Sequence, residues 1–517
     1  MPPHLARPDR PPAAPPAAER DVTSSPAAAA VLLALTLLVR LPAYAVNEND
    51  LGDAVSRTEL ARKWADAPHW ISSFTDGAYQ YGPLHLYVVG AALKLGVPAE
   101  RAGPLTSLLF GTLTALPLWA LTRRLFGGAA AAWSGVALAL WGLHIQMSTT
   151  GASEALSLFL VLGALALFHP ERPRRLAASG LVLTLACAVR YDTWLLAPLL
   201  SLLALAHGKD LRAAFGRAAL FGLCCLPFPV AWLWGNARDL GDPLYPLHYV
   251  EAFQREWLPE GLRRWGQVLY RLQNLGFWPG VAVVTLGPLA GGAGMFGMGW
   301  AYRARPDVRW LLWAAWAPAA YFTFRGAVLV DFQPLARYAV TQVALVLPFL
   351  KPGADALLRG RRTRAAAALG AASMIGVTAF LAAYTWEPRT RPARALYPVG
   401  PISRNPLEVR QVLALFTPPR VEDWQPLLLD EDPRRYLDIQ IGFSLRHPWP
   451  ERVVHRRWPT WEEALTYFQP VWIVRFEGGL LETSPRVEVK GTSLRLDRRW
   501  YDEVPGVSPP VHLYRAR

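Results

Sequence analysis

The sequence predicts an all-α polytopic membrane protein with a small α/β domain at its C-terminus. Of its 517 residues, 52% are hydrophobic and 22 are Trp, and the mean hydropathy is +0.18. This balance is too apolar for an ordinary soluble protein. The first 26 residues and about the last 130 are polar, so the apolar residues are concentrated in between. We therefore expect the middle of the chain to lie in a membrane.

The N-terminal segment, residues 1–26, contains eight Pro among Ala and Arg. Such a composition cannot bury a core, and it predicts a disordered cytoplasmic tail. The apolar run 27–39 resembles a signal peptide, but no convincing small-residue cleavage site follows it and many further apolar runs do. We interpret it as the first membrane anchor.

Further apolar runs in the predicted transmembrane domain, residues 27–385, are long enough to cross about 30 Å of hydrocarbon as helices. With the first anchor they predict about 11 transmembrane helices. The runs lie near 103–122, 128–148, 152–169, 175–190, 191–207, 216–235, 278–301, 308–325, 337–350 and 364–385. The segment 84–97 is ambiguous, because about 14 residues is typical of an interfacial or re-entrant helix.

The basic residues favour one orientation of these spans. If 84–97 does not cross, 16 Lys and Arg from short clusters lie in the cytoplasm and 8 lie outside, as the positive-inside rule requires. The N-terminus is then cytoplasmic, and the segment 40–102, the loop 236–277 and the C-terminal domain 386–517 are outside. Topology thus accounts for the net charge of +14, and we expect no nucleic-acid partner.

The C-terminal domain alternates short β-like runs with one helical stretch at Trp461–Phe468, between Pro and Gly residues. The predicted strands are Pro426–Asp430, Tyr436–Ile441, Pro470–Phe476, Arg486–Val489 and Val511–Tyr514. The glycine-rich run 287–299 lacks the pattern of a phosphate loop and predicts close helix packing. The three Cys lie in apolar runs without metal-ligand spacing, which predicts neither a disulfide nor a zinc site.

The segment after the first anchor is the most informative. Glu48, Asp50 and Asp53 cluster at the predicted outer face, and Leu60 and Trp64 lie four residues apart. That spacing predicts a short surface helix over 53–65, with Asp53 at its start. The alternative for Asp50 or Asp53 is an N-cap that only accepts backbone N–H bonds.

An arginine-bounded anchor, an acidic turn, the Ala61-Arg62 helix and then Tyr-Gly-Pro-Leu-His at 81–85 resemble the GT-C superfamily of membrane glycosyltransferases. The pattern is similar to protein O-mannosyltransferases and lipid A aminoarabinose transferases. Eight residues before Ala61 stands Asp53, so the resemblance implies that Asp53 is the catalytic Asp, with Asp50 as competitor. Glu154, in Ser153-Glu154-Ala155, fills the second acidic position.

The sequence departs from this pattern at two positions. Ala54 stands where the family has Glu, and Tyr81 stands about where the aminoarabinose enzymes have Lys. Further family-like pieces are Arg190-Tyr191, the turn Gly241–Pro246 and Arg337-Tyr338. The resemblance implies substrate-binding roles for these residues: Tyr81, His85, Arg190, Arg325, Arg337 and Tyr338. The alternative for each Arg is a helix-end anchor, and for Glu154 a helix N-terminal acid.

We therefore expect a plasma (inner) membrane glycosyltransferase that takes a sugar from a polyprenyl-phosphate donor. Asp53 would act as general base on an acceptor hydroxyl and invert the anomeric centre, and Arg residues would bind the leaving phosphate. The acceptor, a lipid, glycan or protein, stays open. We predict no cofactor, although a divalent cation at residues 48, 50 and 53 is an alternative.

Two other functions compete with this interpretation. A secondary transporter or lipid carrier usually has ionisable residues near the bilayer midplane and repeated halves. Here the acids gather at one predicted face, and no internal repeat is found. A membrane scaffold that displays the C-terminal domain would leave the acidic cluster without a role.

Overall fold

The computed structural model is mostly helical, with a small C-terminal sheet. It describes residues 25–48, 52–206, 210–359, 363–386 and 399–405, and beyond them 410, 412–414, 416, 425–430, 437–445, 452–456, 460–476, 486–489, 492–500 and 511–516. The predicted tail 1–26, except its last two residues, and the candidate Asp50 lie outside these described residues.

The helical part runs from the first anchor to residue 386. Its α-helices are α1 (Pro26–Val46), α2 (Gly52–Asp66), α3 (Pro83–Lys94), α4 (Ala99–Leu113), α5 (Ala115–Phe126), α6 (Gly128–Leu140), α7 (Gly142–Met147), α8 (Glu154–Leu167), α9 (Pro173–Cys187), α10 (Leu196–Ala206), α11 (Leu211–Cys225), α12 (Pro227–Leu240), α13 (Tyr245–Trp265), α14 (Gln267–Leu286), α15 (Pro288–Ala304), α16 (Arg309–Thr323), α17 (Val340–Ala344), α18 (Leu350–Leu358) and α19 (Thr363–Trp386).

Three helical stretches in the described ranges are long and apolar enough to cross a membrane. They are Pro26–Val46, Ala99–Phe126 and Arg364–Trp386, and the pair α11 and α12, bent by 52°, would make a fourth. Other apolar helices, such as α6 and α8, are shorter than a straight span needs. The number of about 11 spans therefore stays a prediction.

Four predicted spans are wrong as single helices. The run 128–148 is interrupted at Trp141, whose backbone is extended, and the run 216–235 is divided between α11 and α12. The run 278–301 is divided at Gly287, whose φ of +82° ends α14 before Pro288 opens α15. The run 337–350 consists of 3₁₀ turns at Ala336–Ala339 and Leu347–Phe349 on either side of α17. Glycine at positive φ and the proline at 348 interrupt helical hydrogen bonding, which hydropathy does not detect.

The ambiguous segment 84–97 forms α3, which has 12 residues. At 1.5 Å per residue such a helix is about 18 Å long, well short of a membrane crossing. The loop predicted over 236–277 is itself largely helical, since α12, α13 and α14 cover most of it.

The glycine-rich run 287–299 packs closely, as predicted. A Cβ atom on Gly297 would lie 2.2 Å from the carbonyl oxygen of Phe349, and one on Gly353 would lie 1.9 Å from that of Ala293. No side chain fits at these distances, so α15 and α18 are in backbone contact. Glycine at both positions is what permits this approach.

Among the described residues, the C-terminal part contains a six-stranded mixed sheet with strand order β2-β1-β3-β6-β5-β4. Strand β1 pairs in parallel with β2 and β3, and the other pairs are antiparallel. The strands and helices are β1 (Leu427–Leu429), α20 (Leu437–Leu445), β2 (Val453–His455), α21 (Trp461–Tyr467), β3 (Trp472–Phe476), β4 (Arg486–Val489), β5 (Thr492–Trp500) and β6 (Val511–Ala516).

The two faces of this sheet bury separate apolar clusters. Leu427 and Leu429 pack with Ile441 of α20, while Leu428 between them packs with Leu465 of α21. This alternation is what the period of two in a strand requires. One face is therefore covered by α20 together with Val412, and the other by α21.

The strand predicted at Tyr436–Ile441 is wrong, because Leu437–Leu445 is the helix α20. The letters Leu-Asp-Ile-Gln-Ile alternate like a strand, but Ile441 and Leu445, four residues apart, are both buried. A run this short fits both periods, and its packing on the sheet selects the helical one. The strands β2 and the long β5 were not predicted.

Candidate functional site

Helix α2 carries the first acid of the candidate site. Ala54, Thr58 and Ala61 are buried and lie three to four residues apart on one face, which packs against α3. Gly90 of α3 permits the contact, since a Cβ there would lie 2.4 Å from the ring of Trp64. Packing therefore fixes the rotation of α2, and with it the direction of Asp53.

Asp53 lies in the first turn of α2 with a side chain that is 29% exposed. Its carboxylate forms an ion pair with the Arg337 guanidinium and accepts a 3.3 Å hydrogen bond from the Tyr81 hydroxyl. The Arg57 guanidinium, one helical turn after Asp53, lies 4.3 Å from the centre of the Tyr81 ring. Asp53 thus contacts two of the predicted substrate-binding residues, Tyr81 and Arg337.

The turn before α3 places Tyr81 and His85 in the site. Both side chains are buried, and Gly82 between them lies against the end of α9. A Cβ on Gly82 would lie 2.3 Å from the carbonyl oxygen of Ala188, which also accepts a 3.0 Å bond from the Leu84 N–H. This backbone contact fixes α3 beside the Arg190 segment.

The second acid, Glu154, opens α8 and is 3% exposed. It accepts a 2.7 Å hydrogen bond from Nη1 of Arg190, whose Nε donates a 2.9 Å bond to Asp192. Arg190 and Arg337 lie 5.9 Å and 5.4 Å from the centre of the same Tyr338 ring. The two acid–arginine pairs therefore meet at Tyr338.

We call the Asp53–Arg337 and Glu154–Arg190 pairs, together with their neighbours Arg57, Tyr81 and His85, the acid cluster. Its electrostatics favour ionised carboxylates. Burial alone would raise the pKa of Asp53, but attraction to Arg337, Arg57 and Arg190 outweighs it and holds that pKa well below its usual range. Burial and, after it, the positive charge of Arg57 lower the pKa of His85 to about 3. Asp53 is therefore a carboxylate and His85 is neutral at physiological pH.

The cluster also contains buried polar atoms that have no hydrogen-bond partner among the described residues. They are Nη1 of Arg57, Oε2 of Glu154, Nε of Arg337 and both ring nitrogens of His85. Buried polar atoms in native proteins are nearly always paired. Because these atoms belong to residues around the two acids, we interpret this region as a binding site in which a polar ligand or water would supply the missing hydrogen bonds.

Aromatic rings surround the outer side of Tyr81. Tyr79 packs 6.3 Å from Tyr81 and 5.3 Å from Tyr249 of α13, and Phe74 packs below both Tyr79 and Tyr249. Tyr79 is 40% exposed and has a φ of +53°, which is uncommon for an aromatic residue. These residues form a partly open aromatic surface beside the acid cluster.

The remaining predicted residues lie differently. Arg325 pairs with Asp331 at 3.0 Å and lies 6.0 Å from the Phe332 ring, which in turn lies 5.8 Å from Tyr338. It is thus separated from the Asp53 cluster by two aromatic rings. Arg57 was not predicted, although its spacing of four residues from Asp53 on a helix was a usable signal.

A cation at residues 48, 50 and 53 was the alternative interpretation of the acidic turn. In the structure, the Glu48 carboxylate accepts a 2.7 Å hydrogen bond from the backbone N–H of Asn405. Within the described ranges, no group of three His, Cys, Asp or Glu side chains is arranged to hold a metal ion. Asp50 lies outside those ranges, so the cation stays an alternative.

Comparisons with known proteins agree with this geometry. Residues 80–234 match the family model of dolichyl-phosphate-mannose-protein mannosyltransferases. This stretch includes Tyr81, His85, Glu154 and Arg190. The search of curated proteins found no match.

Solved structures give the fold. ArnT from Cupriavidus metallidurans bound to undecaprenyl phosphate matches with a TM-score of 0.58 and 15% identity, covering 95% of this chain and 98% of that one. The apo state of the same protein gives a TM-score of 0.54 at 15% identity, with 87% and 93% coverage. An Archaeoglobus fulgidus oligosaccharyltransferase in complex with Zn and sulfate gives 0.50 at 16% identity, with 87% and 67% coverage.

These findings confirm the resemblance that the motifs indicated. The fold of the chain is similar to that of ArnT, and residues 80–234 are similar to the dolichyl-phosphate-mannose-protein mannosyltransferases. A transporter is not favoured by these relatives.

Proposed function

We propose that this GT-C-type chain transfers a sugar from a polyprenyl-phosphate donor to an acceptor hydroxyl at the outer face of the plasma membrane, with Asp53 as general base. The observation that carries the proposal is the meeting of two acids, Asp53 and Glu154, with three arginines, Arg57, Arg190 and Arg337. Carboxylates suit a proton acceptor, and guanidinium groups suit a lipid phosphate. The structural relatives include a complex with undecaprenyl phosphate.

The Arg337–Asp53 ion pair suggests how donor binding prepares the base. A carboxylate with a strongly lowered pKa is a weak base. When a donor phosphate draws Arg337 into its own hydrogen bonds, Asp53 loses its closest positive charge and its pKa rises. Donor binding would thus increase the basicity of Asp53 when an acceptor is needed.

The remaining groups have roles that their contacts support. Tyr81 donates to Asp53 and would orient it, and Glu154 holds Arg190 toward the phosphate. His85, buried and neutral, would bind a hydroxyl of the donor or the acceptor. Direct displacement with one base inverts the anomeric carbon.

The test uses purified protein in lipid nanodiscs with a panel of polyprenyl-phosphate sugars. Asp53→Asn should lower sugar transfer by about 10²–10⁴-fold, the usual range for a general base. It should also tighten binding of undecaprenyl phosphate several-fold, because Arg337 loses its competing carboxylate. Asp66→Asn, an exposed acid at the end of the same helix, is the matched control and should change neither quantity. Undiminished transfer by Asp53→Asn would refute the base assignment.

A further inference from the structure

The segment that enters the C-terminal domain, residues 399–405, lies against both acid-bearing parts of the chain. Asn47, just beyond α1, uses one side-chain amide to contact two other segments. Its Nδ2 donates to Thr149 at 2.7 Å and to the Pro401 carbonyl at 3.0 Å, and its Oδ1 accepts from the Ser403 N–H at 2.9 Å. We call residues 47–48, 146–149 and 401–405 the junction.

Further bonds close the junction. The Glu48 N–H donates to the Ser403 carbonyl at 2.9 Å, and the Ser403 hydroxyl donates to the Glu48 carbonyl at 3.1 Å. The Glu48 carboxylate accepts from the Asn405 N–H at 2.7 Å. Gln146 donates to the Ile402 carbonyl at 3.3 Å. Ser403, Asn405 and Thr149 are almost completely buried, so water competes little for these bonds.

The junction lies close in sequence to both acids, so it can affect their positions. Glu48 lies five residues before Asp53, and Thr149 lies five residues before Glu154. The C-terminal domain also reaches α2 from a second direction, because α20 packs on it and Ser444 of α20 lies 3.5 Å from Nδ2 of Asn405. The two acids are thus attached to a common anchor outside their own helices.

We propose that the junction is a positioning device: through Asn47 and Ser403, the C-terminal domain sets the separation of the Asp53 and Glu154 segments. The side chains of Asn47 and Ser403 hold the junction together, and the chain that continues from it carries their effect to Asp53 and Glu154. The expectation for catalysis rests on the proposed function, whereas the expectation for structure does not.

Hydrogen–deuterium exchange of the full chain in nanodiscs tests the structural part without substrate. Asn47→Ala should raise exchange of residues 52–58 and 149–154 by about tenfold, the loss expected for one to two net hydrogen bonds. Ser403→Ala, which removes one hydroxyl bond, should raise it less. Ser179→Ala is the matched control, a buried serine that donates to the Ala164 carbonyl at 2.7 Å, and should leave both segments unchanged. Asn47→Asp, which keeps the acceptor for Ser403, should restore part of the protection.

With a donor sugar that the wild type transfers, Asn47→Ala should lower kcat by about tenfold while the KM for the donor changes less than threefold. Faster exchange confined to 399–405 would overturn the proposal and make the junction a simple tether. Loosened acid segments with undiminished kcat would also overturn it. If the wild type transfers no sugar, the exchange result still decides the junction, and only the proposed function fails. Ser403→Ala decides it if Asn47→Ala does not fold.

Discussion

Arg40 and Arg337 of the helical bundle are both little exposed to solvent, and different partners surround each of them. Arg40 of α1 is fully buried and donates to the carbonyls of Thr36 and Leu138 at 2.8 Å and 3.2 Å, with Nδ1 of His144 at 2.5 Å. Arg337 instead pairs with a carboxylate that is 29% exposed. The first arginine faces backbone carbonyls and a neutral ring, and the second faces an acid near solvent.

In the proposed function, this difference separates a structural arginine, Arg40, from a substrate-binding one, Arg337. Carbonyls of α1 and α6 hold Arg40 in one place. Its Nε also has no partner in the described part of the chain, but Arg40 is fully buried. Around Arg337 the carboxylate is exchangeable, and neighbouring polar atoms of Arg57, His85 and Glu154 have no protein partner in the described part of the chain. In the proposed function, a phosphate would replace Asp53 at Arg337, whereas the fully buried Arg40 would keep its carbonyl partners.

The largest effect expected from this comparison is at Arg337. Arg337→Gln removes a charge-assisted phosphate donor, typically about 1.5–3 kcal/mol, so binding of undecaprenyl phosphate should weaken about 10–100-fold. Arg325→Gln should weaken it less than threefold, because Asp331 already holds that guanidinium. Binding to both variants in nanodiscs is the measurement. Equal losses would mean that the phosphate site extends across Phe332.

Arg40 should show the opposite pattern. Arg40→Met leaves His144 and the Leu138 carbonyl without their partner, at a cost of about 1–3 kcal/mol in folding free energy. Sugar transfer per folded molecule should stay within about threefold of wild type. Thermal unfolding and transfer, measured on the same preparations, give the two numbers. Lost transfer at unchanged unfolding temperature would place Arg40 in the functional site and end the contrast.

The smallest effect concerns pH. Because the arginines hold the pKa of Asp53 below its usual range, its carboxylate form persists as the pH falls and is lost only below about pH 4. The kcat/KM of transfer, which reports the free enzyme, should therefore change less than about twofold between pH 5 and 8. A fall of activity with a midpoint near pH 6 that Asp53 controls would contradict the ion pair.

Sequence reasoning found the acids because their signals are local. In the resemblance to the GT-C superfamily, Asp53 is matched by its distance of eight residues from Ala61, and Glu154 is matched by its place at the start of an apolar helix. Arg337 was named as a phosphate ligand, but its pairing with Asp53 joins residues separated by 284 positions. No spacing rule reaches that far, since the contact depends on how the helices pack.

The fold class was also easier to predict than the bounds of the individual helices and strands. Hydropathy predicts the apolar helices, and the short β-like runs of the polar segment 386–517 predict an α/β domain. Hydropathy does not detect the break at Gly287, because glycine is apolar enough to continue a run. The helix Leu437–Leu445 was taken for a strand because its identity is decided by the sheet it covers. These errors arise where tertiary packing outweighs local pattern.

The contact of Gly82 with Ala188 has a consequence for the range of substrates. On that side, main chain lies on main chain, so no rotamer change can widen the gap between Tyr81 and Arg190. The opposite side is lined by the rings of Tyr79 and Tyr249, which can turn about their χ angles. Variants that accept bulkier sugars should therefore be sought by substituting those tyrosines. The backbone contact at Gly82 should keep the distance between Tyr81 and Arg190 constant in such variants.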